Sequence, residues 1–201
     1  MLSEPYRSAE DALIILDPVL GALIQRQRPI THTGRGDYFT SLCRSIIGQQ
    51  VSVASAAAIY GRLVEATLLN HQAVLNLSAE QVKYIGLSKQ KTAYLRDLAG
   101  HFVDNPTIYD HLEDLSDDDI IRDLTAIKGI GVWTAQMFLM FTLQRMDVFA
   151  PDDVGLQRGM KLLYGWTEVP GKAALEAAAQ IWRPYRTIAC WHLWKSLENT
   201  P

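Results

Sequence analysis

The sequence predicts an all-α protein of about ten helices. Apolar residues recur at three- and four-residue spacing along nearly the whole chain. No stretch alternates apolar and polar residues between turn residues, as a half-buried strand would. Ser, Asp, Gly and Pro punctuate the apolar stripes at short intervals, where helices start and stop.

In chain order, Leu13, Leu16, Leu20, Leu23 and Ile24 mark an early helical region. Asp17-Pro18 restarts it with a capping side chain and a first-turn proline. Phe39, Leu42, Cys43, Ile46 and Ile47 line a second helix, and residues 52–69 form an Ala-rich third. Ser78-x-x-Gln81 is a capping box, with reciprocal bonds between side chain and backbone at a helix start. Residues 88–103 follow, with Tyr94, Leu95, Leu98 and Phe102 facing inward. Ser116-x-x-Asp119 opens another helix, and further helices cover 132–143, 154–164, 172–182 and 184–197. Gly34-Arg35-Gly36 and Asn105-Pro106-Thr107 read as turns rather than linkers, so residues 1–201 form one core of two helical lobes. One internal echo stands out: Ile85-Gly86-Leu87-Ser88-Lys89-Gln90-Lys91-Thr92-Ala93 parallels residues 128–135. Both segments read as helix–short turn–helix units.

Composition narrows the function. A hydrophobic fraction of 48% with 20% charged residues describes an ordinary globular chain. No apolar run approaches the ~20 residues of a membrane span. Residues 1–10 lack the basic start and apolar block of a secretory signal. The expected location is the cytoplasm, at the nucleoid in a bacterium or archaeon, or the nucleus in a eukaryote. Cys43 and Cys190 lie in no metal-ligand spacing, which leaves two buried, reduced thiols and no side-chain metal site. The net charge of −3 argues mildly against a nucleic-acid partner. From Lys128 onward, however, eight cations face six anions, an asymmetry that permits DNA binding.

Two motifs carry chemistry. The first is Leu124-x-x-Ile127-Lys128-Gly129-Ile130-Gly131-Val132-Trp133-Thr134-Ala135, a helix-hairpin-helix over about 117–143. Two glycines two apart allow a turn that side chains would obstruct. They expose the unpaired amides of the following helix, an anion site suited to a DNA phosphate. Lys128 adds a cation at the tip, and Leu124, Ile127, Thr134 and Ala135 pack the helices as a hairpin. An ordinary helix-capping glycine turn is the plainer alternative. The second motif is Val148-Phe149-Ala150-Pro151-Asp152-Asp153-Val154-Gly155. It sets two carboxylates where a helix begins, as caps or as chemistry. The helix dipole keeps such a carboxylate ionised. It can then stabilise a positively charged sugar as a glycosidic bond breaks, and orient or deprotonate the attacking water.

In this order and spacing, hairpin and downstream Asp resemble the helix-hairpin-helix–Gly/Pro–Asp superfamily of DNA glycosylases, over roughly residues 35–197. Ile46-Ile47-Gly48-Gln49-Gln50-Val51-Ser52-Val53 and Trp182-x-Pro184-Tyr185-Arg186-x-x-Ala189-x-x-His192-x-Trp194 are similar to the AlkA-like, 3-methyladenine DNA glycosylase II branch. The resemblance implies a two-lobed helical core without the N-terminal β-rich domain of longer members. It implies a monomer acting on damaged double-stranded DNA, with no cofactor and no membrane partner. The expected reaction is hydrolysis of the N-glycosidic bond of alkylated purines, 3-methyladenine and 7-methylguanine, in base excision repair by base flipping. The alternatives are oxidised, deaminated or mismatched bases, or a non-catalytic module that binds damaged DNA.

The same resemblance assigns roles. Asp153 is catalytic, with Asp152 as cap or support. Lys128, Gly129, Ile130, Gly131 and Thr134 grip the phosphate. Trp133 and Trp194 stack on the base, where electron-rich indoles attract a cationic purine. Trp182 and Trp191 read as core. Met137 and Val154 stand where a well-known member has tyrosines, making this pocket less aromatic. Lyase members place a nucleophilic lysine at the position of Trp133, and an indole cannot form a Schiff base, so no strand cleavage is expected. Gln49 and Gln50 match the intercalating loop, with Gln50 as a polar wedge able to hydrogen-bond the orphaned base. Helix capping by either glutamine is the alternative. The family's hairpin can also hold a monovalent cation through backbone carbonyls, here those of Thr125, Ile127 and Ile130.

Overall fold

The computed structural model describes residues 4–32, 34, 36–107, 109 and 111–198. Among these residues every regular element is helical: α1 (Glu4–Leu16), α2 (Pro18–Gln27), α3 (Tyr38–Gly48), α4 (Val53–Thr67), α5 (His71–Leu75), α6 (Ala79–Ile85), α7 (Lys89–Asp104), α8 (Asp117–Thr125), α9 (Val132–Phe141), α10 (Val154–Tyr164), α11 (Lys172–Ala178) and α12 (Arg186–Glu198). Short 3-10 turns cover Leu112–Asp114 and Ala179–Trp182. None of the helices is long and apolar enough to cross a membrane. Of the expected turns, Arg35 lies outside the described residues, as do the first three residues of the expected non-signal start. Gly36 adopts a left-handed φ of 69°.

The chain divides into two compact units. One joins residues 1–33 to 139–201 and the other spans 34–138, with α9 running from the second into the first. In the first, α12 buries every residue from Thr187 to Leu193. A helix without a solvent stripe is a core helix. Its His192 Nε2 lies 3.1 Å from Glu10 Oε1, tying α12 to α1. Burial raises the Glu10 carboxyl and pushes the imidazole down to about 4.

Asp17 does more here than its cap position suggests. Its Oδ1 accepts from the N–H groups of Val19 and Leu20, at 3.0 and 3.1 Å. Its Oδ2 accepts the Tyr164 hydroxyl at 2.5 Å and the Trp182 indole N–H at 2.9 Å. Burial alone would raise this carboxyl, but the four donors outweigh it and the net shift is downward. A carboxyl depressed in the folded state stabilises the fold above its unfolded pKa, and that contribution disappears as pH falls through the folded value. We therefore expect Asp17→Ala to cost about 3 kcal/mol at neutral pH, because it strands the half-buried Tyr164 hydroxyl and the buried Trp182 indole. Its deficit relative to wild type should shrink on acidification below the usual carboxylate range. Urea denaturation at several pH values measures both; a pH-independent deficit would refute the linkage.

The second unit packs α3 against α4 and α7, and α5 against α7. Ile46, Ile47, Leu63, Leu95 and Leu98 are fully buried. α5 is the one helix with no counterpart in the periodicity, since five residues are too few to show it. Asn70 caps it, and His71 rests edge-on against Phe39 at 4.4 Å, beside a Phe102–Tyr109 stack at 4.1 Å. Two boundaries differ from the sequence reading. The 172–182 helix tightens to 3-10 geometry from Ala179, and the last helix begins at Arg186, leaving Pro184 in the link. Both cysteines are buried and free, with burial pushing their thiols up.

Candidate functional site

The hairpin lies in the second unit. The N–H groups of Ile127 and Ile130 bond to the carbonyls of Leu124 and Ile127, both at 3.1 Å, which closes the turn between α8 and α9. Leu124, Ile127 and Ile130 are buried, so the flanking apolar residues pack as expected. The two glycines answer to different demands. Gly129 has φ 85°, and a Cβ there would run into the ring of Tyr94, so the fold itself requires glycine. At Gly131 a Cβ would meet nothing within 4 Å, and its φ lies outside the left-handed region. None of the described residues demands glycine at 131, where the start of α9 carries no side chain.

The echo turn between α6 and α7 shows what that bareness means. Gly86 matches Gly129 with φ 83°, and Ser88 stands where Gly131 does. Ser88 Oγ accepts the Lys91 N–H at 3.2 Å and so caps α7 from within. Gly131 has no side chain to do the same for α9. A helix start that its own residues do not cap from this position is the setting in which helix amides meet external anions.

Lys128 is less available than the sequence suggested. Its ammonium lies 2.9 Å from Asp97 Oδ1, and its N–H donates to Asp97 Oδ2 at 2.8 Å. Burial would raise the Asp97 carboxyl, yet the Lys128 N–H and ammonium bring it down on balance. Asp97 thus braces the turn and offsets the cation at its tip. Ile130 and Thr134 are 4% and 6% exposed, so a role for them on phosphate is confined to backbone. The Ile127 carbonyl, one of the three read as cation ligands, spends a lone pair on the Ile130 N–H. No group of three or more His, Cys, Asp or Glu side chains suited to a metal occurs among the described residues.

The α3–α4 loop belongs to the same unit. Gln49 does not project freely: its Nε2 donates to the Gly129 carbonyl at 2.8 Å. Gln50 is exposed and left-handed, with φ 56°. A non-glycine residue held there costs about 1–3 kcal/mol, a strain that clusters at functional sites. Within this pair Gln50 is the exposed residue and Gln49 the tethered one.

The acid lies in the first unit. Asp153 is the N-cap of α10, and its Oδ1 accepts the Leu156 N–H at 2.7 Å and the Trp194 indole N–H at 2.9 Å. Two N–H donors and the helix N-terminus favour the negative charge on this carboxylate. Asp152 is exposed and pairs with Lys172 at 2.6 Å. It is not the cap, which corrects that reading: the residue that caps is the one read as catalytic. Gly155 completes the arrangement, since a Cβ there would lie 3.0 Å from Asp153 Oδ1 and 3.1 Å from Trp194 Nε1. Trp194 stacks on Phe141, with ring centroids 5.6 Å apart. Phe141 went unnoticed in the sequence, although Trp133, Met137 and Phe141 recur every four residues along α9 and share one stripe. Trp133 is 46% exposed and Val154 75%, Met137 is half-buried, and Trp182 and Trp191 are core as expected.

A helix-hairpin-helix and a helix-capping aspartate tied to an indole together define the class. The family model described as HhH-GPD superfamily base excision DNA repair protein matches residues 43–184, and the chain belongs to that superfamily. Its relatives within it carry one name repeatedly. DNA-3-methyladenine glycosylase 1 of Schizosaccharomyces pombe is 30% identical over 180 residues, covering 87% of this chain and 78% of that protein. The crystal structure of a DNA-3-methyladenine glycosidase from Bacillus halodurans superposes with a TM-score of 0.86 at 38% identity, covering 95% of this chain and 89% of that one. The S. pombe 3-methyladenine DNA glycosylase in complex with abasic DNA superposes with a TM-score of 0.80 at 29% identity, covering 95% and 97%.

Proposed function

We propose that this chain is a monofunctional DNA glycosylase that releases alkylated purines, 3-methyladenine and 7-methylguanine, from damaged double-stranded DNA. The observation that carries the reading is the Asp153 carboxylate, fixed by the α10 N-terminus and the Trp194 indole. The names of its relatives support the same substrate class.

The hairpin amides beside Gly131 bind a phosphate of the backbone, and Gln50 fills the gap left as the damaged base leaves the stack. An N-methylated purine carries positive charge, so exposed indole faces such as that of Trp133 attract it by about 0.5–2 kcal/mol. As the glycosidic bond lengthens, positive charge moves onto the sugar, where the Asp153 carboxylate stabilises it and orients the attacking water. The base departs with the bonding electrons, which neutralise its charge. Water adds to the sugar carbon, and its proton goes to the carboxylate or to solvent. Trp133 offers no amine, so the product is an intact abasic strand.

The test is to incubate the protein with duplexes bearing 3-methyladenine, 7-methylguanine, 8-oxoguanine or uracil, and to measure free base and strand breaks separately. Release of the two methylated bases without strand cleavage is expected. Release of only the oxidised or deaminated base would transfer the reading to that substrate class; no release at all would leave a binding module.

A further inference from the structure

The α6–α7 turn echoes the hairpin, yet it caps its own helix through Ser88, which takes the Lys91 N–H. Its second helix does something else. Lys91, half-buried in the first turn of α7, reaches back to the end of α3. Its ammonium donates to the carbonyl of Ile47 at 2.7 Å and to that of Gln49 at 2.8 Å. These lie in the last turn and C-cap of α3, where helix carbonyls lack intrahelical donors and the dipole favours a cation. Partial burial lowers the ammonium's pKa.

The loop is tethered a second time by the 2.8 Å bond from the Gln49 amide to the Gly129 carbonyl. Gln50 follows directly, exposed and left-handed, and Ser52 then restarts the chain as N-cap of α4 by accepting the Ser55 N–H. Three fixed points, two on Gln49 and one at Ser52, thus surround one strained residue. Without the tethers, the left-handed φ at Gln50 would relax toward the α or β regions. The echo turn supplies one tether and the DNA-facing turn the other.

We infer that Lys91 and the Gln49 amide form a latch that holds the Gln50 turn ready for insertion, making both positioning residues for base extrusion. The inference rests on the glycosylase reading above. A latch acts after DNA is bound and before the base is released, so its loss should appear between those two measurements. Breaking the two hydrogen bonds from the charged Lys91 donor should lower the insertion-ready population by about a hundredfold or more, and losing the single neutral Gln49 bond by about two- to tenfold.

The experiment uses the full chain and a duplex carrying 7-methylguanine with 2-aminopurine beside it. The fluorescence of 2-aminopurine rises when its neighbour leaves the stack. Lys91→Met removes one tether and Gln49→Met the other, each keeping a similar apolar stem. For both variants we expect an unchanged melting temperature to within a few degrees. The fluorescence rise at saturating protein should be at least tenfold slower in Lys91→Met, with unchanged affinity for undamaged duplex, and about two- to tenfold slower in Gln49→Met. Should affinity, melting temperature and fluorescence fall together, the tethers are scaffold and the latch is overturned. A full-speed rise in either variant also overturns it. If the wild type releases no base and gives no rise, the glycosylase reading has failed; release by wild type with normal signals in both variants sinks only the latch.

Discussion

Asp153→Asn should abolish most base release while leaving the protein folded. Asn caps helices about as well as Asp, and its side-chain carbonyl can still accept the Leu156 and Trp194 N–H groups. The substitution therefore removes the charge while keeping both acceptor contacts, and the loss of stability should be about 1 kcal/mol. The reaction feels the missing charge at its highest point. Positive charge on the sugar peaks in the transition state, so an interaction with it lowers the barrier rather than tightening ground-state binding. Losing one such electrostatic partner costs about 10²–10³ in rate, or roughly 3–4 kcal/mol of barrier. Single-turnover release of 7-methylguanine measures the rate, and a thermal melt with circular dichroism checks the fold. Equal release by variant and wild type would remove Asp153 from the mechanism. Asp152→Asn is the matched control: it breaks only an exposed pair with Lys172, and activity should be retained.

What made these sites legible was local chemistry. Asp17, Ser52, Ser78, Ser88, Ser116 and Asp153 all serve as N-caps, because a cap and the amide it accepts lie within three residues of each other. The paired glycines of the hairpin are local in the same sense. What stayed hidden depends on partners brought together by packing. Asp97 lies 31 residues from Lys128, and Lys91 lies more than 40 from the carbonyls it holds. No spacing rule reaches that far. The choice between Asp152 and Asp153 has the same character. Both look like caps in sequence; the structure separates them by the Leu156 N–H that Asp153 accepts, by the Lys172 pair of Asp152, and by the indole of Trp194, 41 residues on. Phe141 is the one residue a stricter reading of the α9 stripe could have found, since it continues the spacing of Trp133 and Met137.

The second large effect is expected at Gly131, and the comparison with Ser88 gives it a graded form. A Cβ at 131 would meet none of the described residues within 4 Å and needs no unusual backbone, so Gly131→Ser and Gly131→Asp should both fold. Ser and Asp are preferred N-caps, so both variants should match or exceed wild-type stability. Each would bend its oxygen onto the first-turn amides of α9, as Ser88 does on α7. The amides would then be occupied from within, and Asp would add like-charge repulsion against phosphate. Affinity for duplex DNA should fall in the order Gly, Ser, Asp, with about a ten- to hundredfold loss for Asp, the worth of a charge-assisted hydrogen bond. Because phosphate contacts carry no base information, damaged and undamaged duplexes should weaken alike. The slope of log affinity against log salt should flatten by about 0.9 for each phosphate that the turn no longer neutralises. Fluorescence anisotropy across a salt series measures both quantities. Unchanged affinity in the Asp variant would take the phosphate grip away from this turn, and selective weakening on damaged duplex alone would move Gly131 from backbone grip to base recognition.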